Sequence, residues 1–340
     1  MKILSLFDGM SCLQIALKEL DIQIEKYYAS EIDKFAIAQT QLNFPNTIQL
    51  GSVVEWETWD IDWSEVDLIG TGSPCQGFSF AGKQLAFDDP RSKLFFVFVE
   101  ILNHCRKFNP DVKFLLENVD MKKDYLRIIS EYVGIFPVKI NSTLVSAQNR
   151  ERWYWTNIKT KQVGLFDELY TDIPQPKDRS IFLVNVLQNE VEEKYYMSGR
   201  AVNGLVRALS KQHKPNIIKD FLQKSSCVDT RTGSGVHYAD YICVAMRGRN
   251  PENSSDRKTG IPTEQRLEPK IDQKTNCLTS VSKDNLLTNG ERLRRLTPTE
   301  CSRLQTIPEW YIWKCSDSQI YRMLGNGWTV EVIKHILSFI

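Results

Sequence analysis

The chain lacks the residue patterns that mark metal sites, disulfide frameworks and membrane spans. Its 340 residues include only four histidines, and these form no ligand-spaced pair, so we expect no metal site. Its eight cysteines are scattered without a CxxC pair, which is typical of reduced thiols in a cytoplasmic protein. The apolar start of the chain ends at Asp8, too early for a signal peptide or a membrane span. We therefore expect a cytoplasmic protein with no membrane partner.

Net charge is also nearly absent, at +1, but it is unevenly distributed. Residues 1–160 carry more acidic than basic side chains, whereas residues 161–340 carry an excess of Lys and Arg. A mildly basic later part fits a nucleic-acid partner, although a solvated surface of mixed charge gives the same balance. The length allows one large α/β domain with an appended lobe, or two domains.

What the first 160 residues do contain is a regular alternation of apolar strands and helical patterns. The predicted strands are residues 2–7, 27–30, 47–50, 66–70 and 112–116, and the predicted helices are residues 13–20, 35–42 and 94–105. This alternation predicts a parallel, doubly wound sheet. A further helix over residues 329–337 is expected to pack beside the first strand.

A single thiol directly after a predicted strand is the most informative residue. Cys75 stands in the run Gly-Ser-Pro-Cys-Gln-Gly-Phe-Ser of residues 72–79, in which Gly72 and Pro74 end the strand. In an open parallel sheet, ligands bind outside the carboxyl ends of the strands. A lone cysteine is more often a small core residue, but the flanking Gly, Ser and Pro argue against burial. We therefore expect Cys75 to face a substrate.

The first strand is followed by a tight turn at Asp8-Gly9. This turn only loosely matches a dinucleotide fingerprint, because Ser11 and Cys12 replace the later glycines. Glu31, at the end of the next strand, is placed to accept hydrogen bonds from a ribose diol. A solvated turn and a surface carboxylate would explain each feature alone. Together they favour an adenosine-type cofactor other than NAD.

Several motifs then occur in the order found in one enzyme family. These are residues 7–9 (FDG), Glu31, residues 72–79 (GSPCQGFS), Arg91 with residues 94–96 (LFF), residues 117–119 (ENV), residues 148–152 (QNRER), residues 295–300 (RLTPTE) and residues 325–327 (GNG). With these motifs the chain resembles the cytosine-C5 DNA methyltransferases of bacterial or phage type. The resemblance covers the chain except for residues 161–290, and residues 328–330 locally resemble the eukaryotic de novo enzymes.

The resemblance implies an α/β fold with a doubly wound mixed sheet of the S-adenosylmethionine-dependent, Rossmann-like type, and a smaller variable target-recognition lobe. Residues 1–160 and 291–340 are expected to form the catalytic domain, and residues 161–290 the target-recognition domain. Residues 247–258 are interpreted as a basic loop able to enter a DNA groove. Arg292, Arg294 and Arg295 are expected, with equal weight, to grip the DNA backbone or to lie in solvent.

Covalent catalysis is the chemistry that the resemblance and the residue types imply. Cys75 adds to C6 of cytosine, which makes C5 nucleophilic. Glu117 binds N3 and the exocyclic amine, and it shares a proton with the ring. Of Arg152 and Arg150, one donates to cytosine O2, while the other braces the thiol loop or a phosphate. The alternatives without a catalytic role are a capping or salt-bridged carboxylate at Glu117 and an arginine pair on a solvent-exposed face.

Two further residues complete the predicted catalytic set. Pro74 is expected to rigidify the thiol loop, and Asn118 to orient Glu117 and the backbone. The base that removes the C5 proton is left open.

The cofactor is expected to be S-adenosylmethionine, with Phe7 stacked on adenine, the Gly9 backbone at the turn and Glu31 on the ribose. The full set of expected contacts is Phe7, Asp8, Gly9, Met10, Ser11, Glu31, Ile32, Ser52, Val53, Ser73, Pro74, Leu94, Asn326, Gly327 and Trp328. The chain departs from the family pattern in three places. Residues 10–12 replace a Gly-rich loop, residues 51–53 lack the usual acidic residue, and Trp328 replaces a small aliphatic residue.

The expected partner is double-stranded DNA, from which the target base is flipped out of the helix. Residues 79–86 have the composition of a mobile loop that would close over that base. A cognate restriction endonuclease of a restriction-modification system is a further expected partner, and a monomer the expected state. Two alternatives are a tRNA cytosine-C5 methyltransferase and a catalytically silent DNA-binding homologue. The RNA-directed branch typically carries a Cys-Phe-Thr signature that is absent here, and silent homologues lose the thiol or the Glu.

Overall fold

The computed structural model describes residues 1–73, 93–164, 167–198, 242–250, 264–270, 272–279, 285–288 and 292–340. Pro74, Cys75 and the predicted loop at residues 79–86 lie outside these ranges. Within them, the main feature is a seven-stranded sheet with helices on both faces.

The large sheet is mixed, with a parallel centre. Its strands, in spatial order, are β3 (Ile48–Gln49), β2 (Lys26–Ser30), β1 (Lys2–Leu6), β4 (Leu68–Thr71), β5 (Lys113–Val119), β7 (Glu151–Thr156) and β6 (Val138–Asn141). The first five strands in this order are parallel to one another, whereas β7 is antiparallel to both β5 and β6. The sequence-based prediction of a doubly wound mixed sheet is confirmed.

The helices divide between the two faces because each strand alternates its side chains. Ile3 and Leu115 face one core, and Leu4 and Phe114 face the other. The described helices are α1 (Cys12–Glu19), α2 (Lys34–Asn43), α3 (Lys93–Phe108), α4 (Lys123–Val133), α5 (Pro298–Leu304), α6 (Asp317–Asn326) and α7 (Val330–Leu337). Helices α1 and α7 pack in the first core, and α3 and α4 in the second.

The predicted strands and helices of the first 160 residues are all present, with ends that differ by a few residues. Strand β5 differs most, because it continues through Glu117 and Asn118 instead of ending before them. Helix α7 is also present, and it packs against α1, sharing a core with Ile3 of the first strand.

Two smaller sheets complete the described chain. One is the antiparallel hairpin β8 (Thr160–Val163) and β9 (Glu168–Thr171). The other contains β11 (Glu264–Lys270), β10 (Ile242–Arg249), β12 (Leu286–Thr288) and β13 (Leu293–Arg295), in that order. The interpretation of residues 247–258 as a loop was wrong for its first part, because residues 247–249 pair along β11 as strand. Residues 251–258 lie outside the described ranges.

The three arginines before α5 behave differently from one another. Arg294 is buried and ion-paired, which overturns the expectation that it contacts DNA or solvent. Arg292 and Arg295 are exposed. In the described part of the chain, no helix has both the length and the apolar character needed to cross a bilayer.

Candidate active site

Strands β5 and β7 bring two of the predicted catalytic side chains into contact. Glu117 lies opposite Tyr154 in the antiparallel pair, so Arg152, two residues before Tyr154, lies on the same face of the sheet. Arg152 Nε is 2.8 Å from Glu117 Oε1, and both side chains are largely buried. The Nε–H bond is directed away from that oxygen, because neither atom completes a hydrogen bond among the described residues. The pair is therefore a close ion contact that keeps one donor and one acceptor available.

The electrostatics of this pair keep Arg152 charged. Burial lowers the pKa of Arg152, but the neighbouring Cys277 and Glu117 raise it by more, so the net shift is upward. A guanidinium with a raised pKa stays protonated across the whole working range of a protein. Arg152 is therefore a permanent donor beside a carboxylate.

Arg150 lies on the same side but has a different set of contacts. It is 3% exposed, which excludes the alternative of an arginine on a solvent face. Its Nη2 donates to the carbonyl oxygen of Gly327 at 2.8 Å, and its Nη1 contacts the carbonyl oxygen of Leu278 at 3.2 Å. Arg150 is thus a brace between segments that are distant in sequence. Arg152 differs in that its buried Nε has no hydrogen-bond partner among the described residues.

Other buried polar atoms at this edge of the sheet also lack partners. Thr71 Oγ1 and Ser73 Oγ, at and just beyond the end of β4, have no hydrogen-bond partner among the described residues. The same is true of Asn118 Nδ2, whereas Asn118 Oδ1 accepts from the backbone N–H of Val119 at 2.8 Å. Buried polar atoms are normally paired, so this cluster indicates a place where a polar ligand binds.

The turn after β1 is tied to the end of β2. Gly9 donates its backbone N–H to Glu31 Oε2 at 2.8 Å, and the N–H groups of Ile32 and Asp33 donate to Glu31 Oε1. A carboxylate has about four lone-pair sites, so Glu31 can still accept from a ribose diol. Phe7 has φ of +55°, an uncommon value for a residue other than glycine, and it lies between β1 and this turn.

Asp8 lies at the base of the same turn. Its carboxylate accepts hydrogen bonds from Ser11 Oγ and from Tyr27 OH, the latter at 2.7 Å. Burial raises the pKa of Asp8 to about 6, even though these hydrogen bonds act in the opposite direction. Ser11 and Met10 are themselves buried, as whole residues, beneath this turn.

The remaining predicted cofactor residues vary in exposure. Ile32 is 76% exposed, which is unusual for a large apolar side chain and leaves its surface free to cover an adenine. Ser52 begins the 3₁₀-helix Val53–Thr58 and is partly exposed, and Val53 is buried. Leu94, on α3, is partly buried against the second hydrophobic core.

The C-terminal turn returns to the same edge, as predicted. Asn326 is exposed at the end of α6, and Gly327 lies against Cys12, since a Cβ built on Gly327 would be 3.2 Å from Cys12 Sγ. Trp328 packs against Gly72, where an added Cβ would lie 2.8 Å from Trp328 Nε1. The turn at residues 326–328 therefore lies between the start of α1 and the end of β4.

These residues fit S-adenosylmethionine. Among the described residues, no atom lies within 4 Å of where a Gly9 Cβ would stand, so there is open space over the turn. That space adjoins the Glu31 carboxylate, which accepts from the Gly9 N–H. An exposed apolar surface, a ribose acceptor and open backbone on neighbouring strand ends suit an adenosine ligand. In the described chain, no three His, Cys, Asp or Glu side chains are grouped to hold a metal ion.

One residue at this site was not predicted from the sequence. Cys277 lies within hydrogen-bonding distance of both Arg150 and Arg152. Side-chain periodicity does not reveal its position, which follows from a bridge between Gln148 and Thr275, far apart in sequence.

Solved structures share this architecture. The chain is similar to DNMT2 of Spodoptera frugiperda, with a TM-score of 0.56, 20% sequence identity and coverage of 99% of this chain and 98% of that one. The fold and the polar edge of its sheet define a Rossmann-like α/β protein with a ligand site at the carboxyl ends of its strands. More specifically, the chain belongs to the C-5 cytosine-specific DNA methylase family, whose model matches residues 1–340.

Curated relatives extend over nearly the whole chain. The Type II methyltransferase M1.ScrFI of Lactococcus lactis subsp. cremoris is 27% identical over 98% of this chain and 76% of its own length. The Type II methyltransferase M.NlaX of Neisseria lactamica is 26% identical over 98% of this chain and 94% of its own length.

Proposed function

We propose that this family member transfers the methyl group of S-adenosylmethionine to C5 of a cytosine flipped out of duplex DNA. The observation that carries the proposal is the buried Glu117–Arg152 pair, with its unpaired acceptor and donor, at the carboxyl edge of a parallel sheet. Cytosine offers a matching edge, with an exocyclic amine that donates and ring N3 and O2 atoms that accept. Glu117 would take the amine and share a proton with N3, while Arg152 would donate to O2.

Cys75 is the proposed nucleophile. In the sequence it follows Ser73 by two residues, and Ser73 lies just beyond the end of β4. Its thiolate would form a bond to C6, and the electron pair displaced from the C5–C6 double bond would make C5 nucleophilic. After methyl transfer, loss of the C5 proton and expulsion of the thiolate would restore the aromatic ring. Pro74 and Asn118 would hold the thiol segment and the Glu117 strand in place.

The cofactor would be held by the ends of β1, β2 and β4 and by the C-terminal turn. When bound, S-adenosylmethionine supplies an electrophilic methyl group on a sulfonium. Glu31 would accept from the ribose, and the exposed Ile32 and Phe7 would cover the adenine. Ser73, with its unpaired hydroxyl, and the turn at Asn326 would hold the amino-acid end.

The organisation and setting of the enzyme are part of the same proposal. Residues 1–160 and 291–340 would form the catalytic domain, and residues 161–290 would select the DNA sequence. A base inside a duplex is out of reach of Cys75 and Glu117 together, so the cytosine must leave the helix. We place the enzyme in the cytoplasm as a monomer, with a cognate endonuclease as its expected companion.

Two linked experiments test the function. Bisulfite sequencing of DNA from cells that express the protein should show protected cytosines at one recurrent sequence. A duplex with 5-fluorocytosine at that position should then trap a covalent adduct with the wild-type enzyme. Cys75→Ser should abolish both signals, whereas Cys315→Ser, at a partly buried thiol away from the site, should retain them. Normal methylation by Cys75→Ser would refute the mechanism.

Transfer to tRNA should be measured beside transfer to duplex DNA. The chain has Cys277-Leu278-Thr279, which shares the first and third residues of the Cys-Phe-Thr signature of the RNA-directed branch. Labelled methyl transfer to tRNA alone would reassign the substrate, and transfer to neither would indicate a silent homologue.

A further inference from the structure

A second thiol, that of Cys277, lies next to the catalytic pair. Cys277 Sγ is 3.1 Å from Arg150 Nη1 and 3.5 Å from Arg152 Nη2. Arg152 in turn contacts Glu117 at 2.8 Å. The four side chains therefore form one continuous series of contacts, with the sulfur between the two guanidinium groups.

The backbone fixes the position of this sulfur. The N–H of Thr275 donates to the carbonyl oxygen of Ala147 at 2.7 Å, and the N–H of Asn149 donates to that of Thr275 at 3.0 Å. Three residues after Thr275, the N–H of Leu278 donates to Gln148 Oε1 at 2.8 Å. The segment that carries Cys277 is thus paired to the stretch of chain that leads directly into Arg150 and β7. A shift of one would move the other.

The sulfur is suited to hold two cations. Burial raises the pKa of Cys277, but Arg150 and Arg152 lower it by more, so its net shift is downward. The other groups that face this cluster are Glu117 and Tyr154 on the neighbouring strands. The Cys277 sulfur accepts from both guanidinium groups, and a hydrogen bond with one charged partner is stronger than a hydrogen bond between neutral groups.

The contacts of Arg152 show what such an acceptor achieves. Its Nη1 donates to the carbonyl oxygen of Glu151 at 2.8 Å, and its Nη2 donates to Cys277 Sγ. Both terminal nitrogens are therefore anchored, and Nε is the nitrogen with no hydrogen-bond partner among the described residues. Because the guanidinium group is planar, fixing its two terminal nitrogens also fixes the direction of the Nε–H bond.

We propose that Cys277 is a positioning residue for methyl transfer: its sulfur anchors Arg152 so that the Nε–H points into the cytosine site beside Glu117. This inference rests on the proposed function, and it deepens the role of Arg152 there. In this proposal Cys277 acts on the reaction through Arg152, and its contact with Arg150 helps to hold the sulfur in place.

The test compares Cys277→Ala, Cys277→Ser and the matched control Cys315→Ser on an unmethylated duplex that carries the target sequence. Cys277→Ala should lower kcat by about 10- to 100-fold, the usual effect of removing a hydrogen bond to a charged group. The KM for S-adenosylmethionine should not change, because no cofactor contact is lost. Cys277→Ser should recover part of the loss, since a hydroxyl also accepts a hydrogen bond. Cys315→Ser should behave as wild type.

Coupling to Arg152 separates positioning from a merely structural role. In the Arg152→Lys background, which has one nitrogen in place of three, Cys277→Ala should cause little further loss. Independent losses that multiply, or a Cys277→Ala enzyme with wild-type kcat, would overturn the inference. So would a lowered Tm with equal losses in kcat and cofactor affinity and no recovery with serine. An inactive wild-type enzyme would instead refute the proposed function itself.

Discussion

At the scale of single residues, Asp8 combines a buried carboxylate with a place in the cofactor turn. Its oxygens accept from Ser11 and Tyr27, yet burial still raises its pKa from 3.8 to about 6. A carboxyl group with a raised pKa in the native state binds its proton more tightly there than in the unfolded chain. Ionisation of Asp8 therefore costs stability, in contrast to the usual carboxylate in an ion pair.

The variant Asp8→Asn tests this sign. Relative to the variant, the wild-type free energy of unfolding should fall as pH rises from about 4 to about 6.5, by at most about 3 kcal/mol. Below that window both forms are neutral at residue 8, and above it the full cost is present. Denaturant unfolding at a series of pH values measures the difference. Asp62→Asn, at an exposed carboxylate with a lowered pKa, should give a flat difference over the same window.

At the scale of structural elements, two turns depart from the family pattern, at Ser11 and at Trp328. Ser11, where the family has a Gly-rich loop, begins α1 with φ of +62°, a left-handed conformation that glycine adopts without cost. Its hydroxyl donates to Asp8, which offsets part of that cost. Ser11 thus adopts a backbone conformation that favours glycine.

The other exchange pairs Trp328 with Gly72. Trp328 fills the space beside the end of β4, and only a residue without a Cβ fits there, because Trp328 Nε1 would lie 2.8 Å from it. We expect Gly72→Ala to destabilise the fold by about 1–3 kcal/mol through overpacking. In a Trp328→Leu background the same change should cost clearly less. A double-mutant cycle of urea unfolding measures this coupling, and additive effects would show that the two residues do not compete for space.

At the scale of the whole molecule, a buried ion pair joins three parts of the chain. Arg294 on β13 makes two hydrogen bonds to Glu300 on α5, of 2.7 and 2.8 Å. Glu300 Oε1 also accepts from the backbone N–H of Gln188 at 3.0 Å. The pair thus fixes the four-stranded sheet and residue 188 to the helix that leads back into the main core.

Breaking this pair should be costly. Glu300→Gln leaves the Arg294 charge buried without its partner, and we expect a loss of about 3–5 kcal/mol in the free energy of unfolding. The exposed pair Arg127–Glu131 is a natural comparison, and Glu131→Gln should change stability by about 0.5 kcal/mol or less. Equal losses of stability in the two variants would show that the buried Arg294–Glu300 pair does not hold these parts of the chain together.

Much of the fold was predictable because its signals are local. The strand and helix patterns of residues 1–160 follow from side-chain periodicity, and the placement of Glu31 just after β2 and of Glu117 near the carboxyl end of β5 follows from the parallel order. The buried state of Arg294 was not predictable. Arg292, Arg294 and Arg295 look alike in sequence. Arg294 differs only because it pairs with Glu300, which also takes part in the N-terminal capping box of α5.

The sequence by itself determined the family, the doubly wound sheet and the residue types of the reaction, since motif order and periodicity are properties of the chain. The tertiary structure alone decided which side chains meet. It placed Arg152 against Glu117, turned Arg150 into a brace and brought Cys277 between them. The physical reason is that these contacts depend on strand pairing and on bridges between distant segments, where a shift of one residue would turn each side chain to the opposite face.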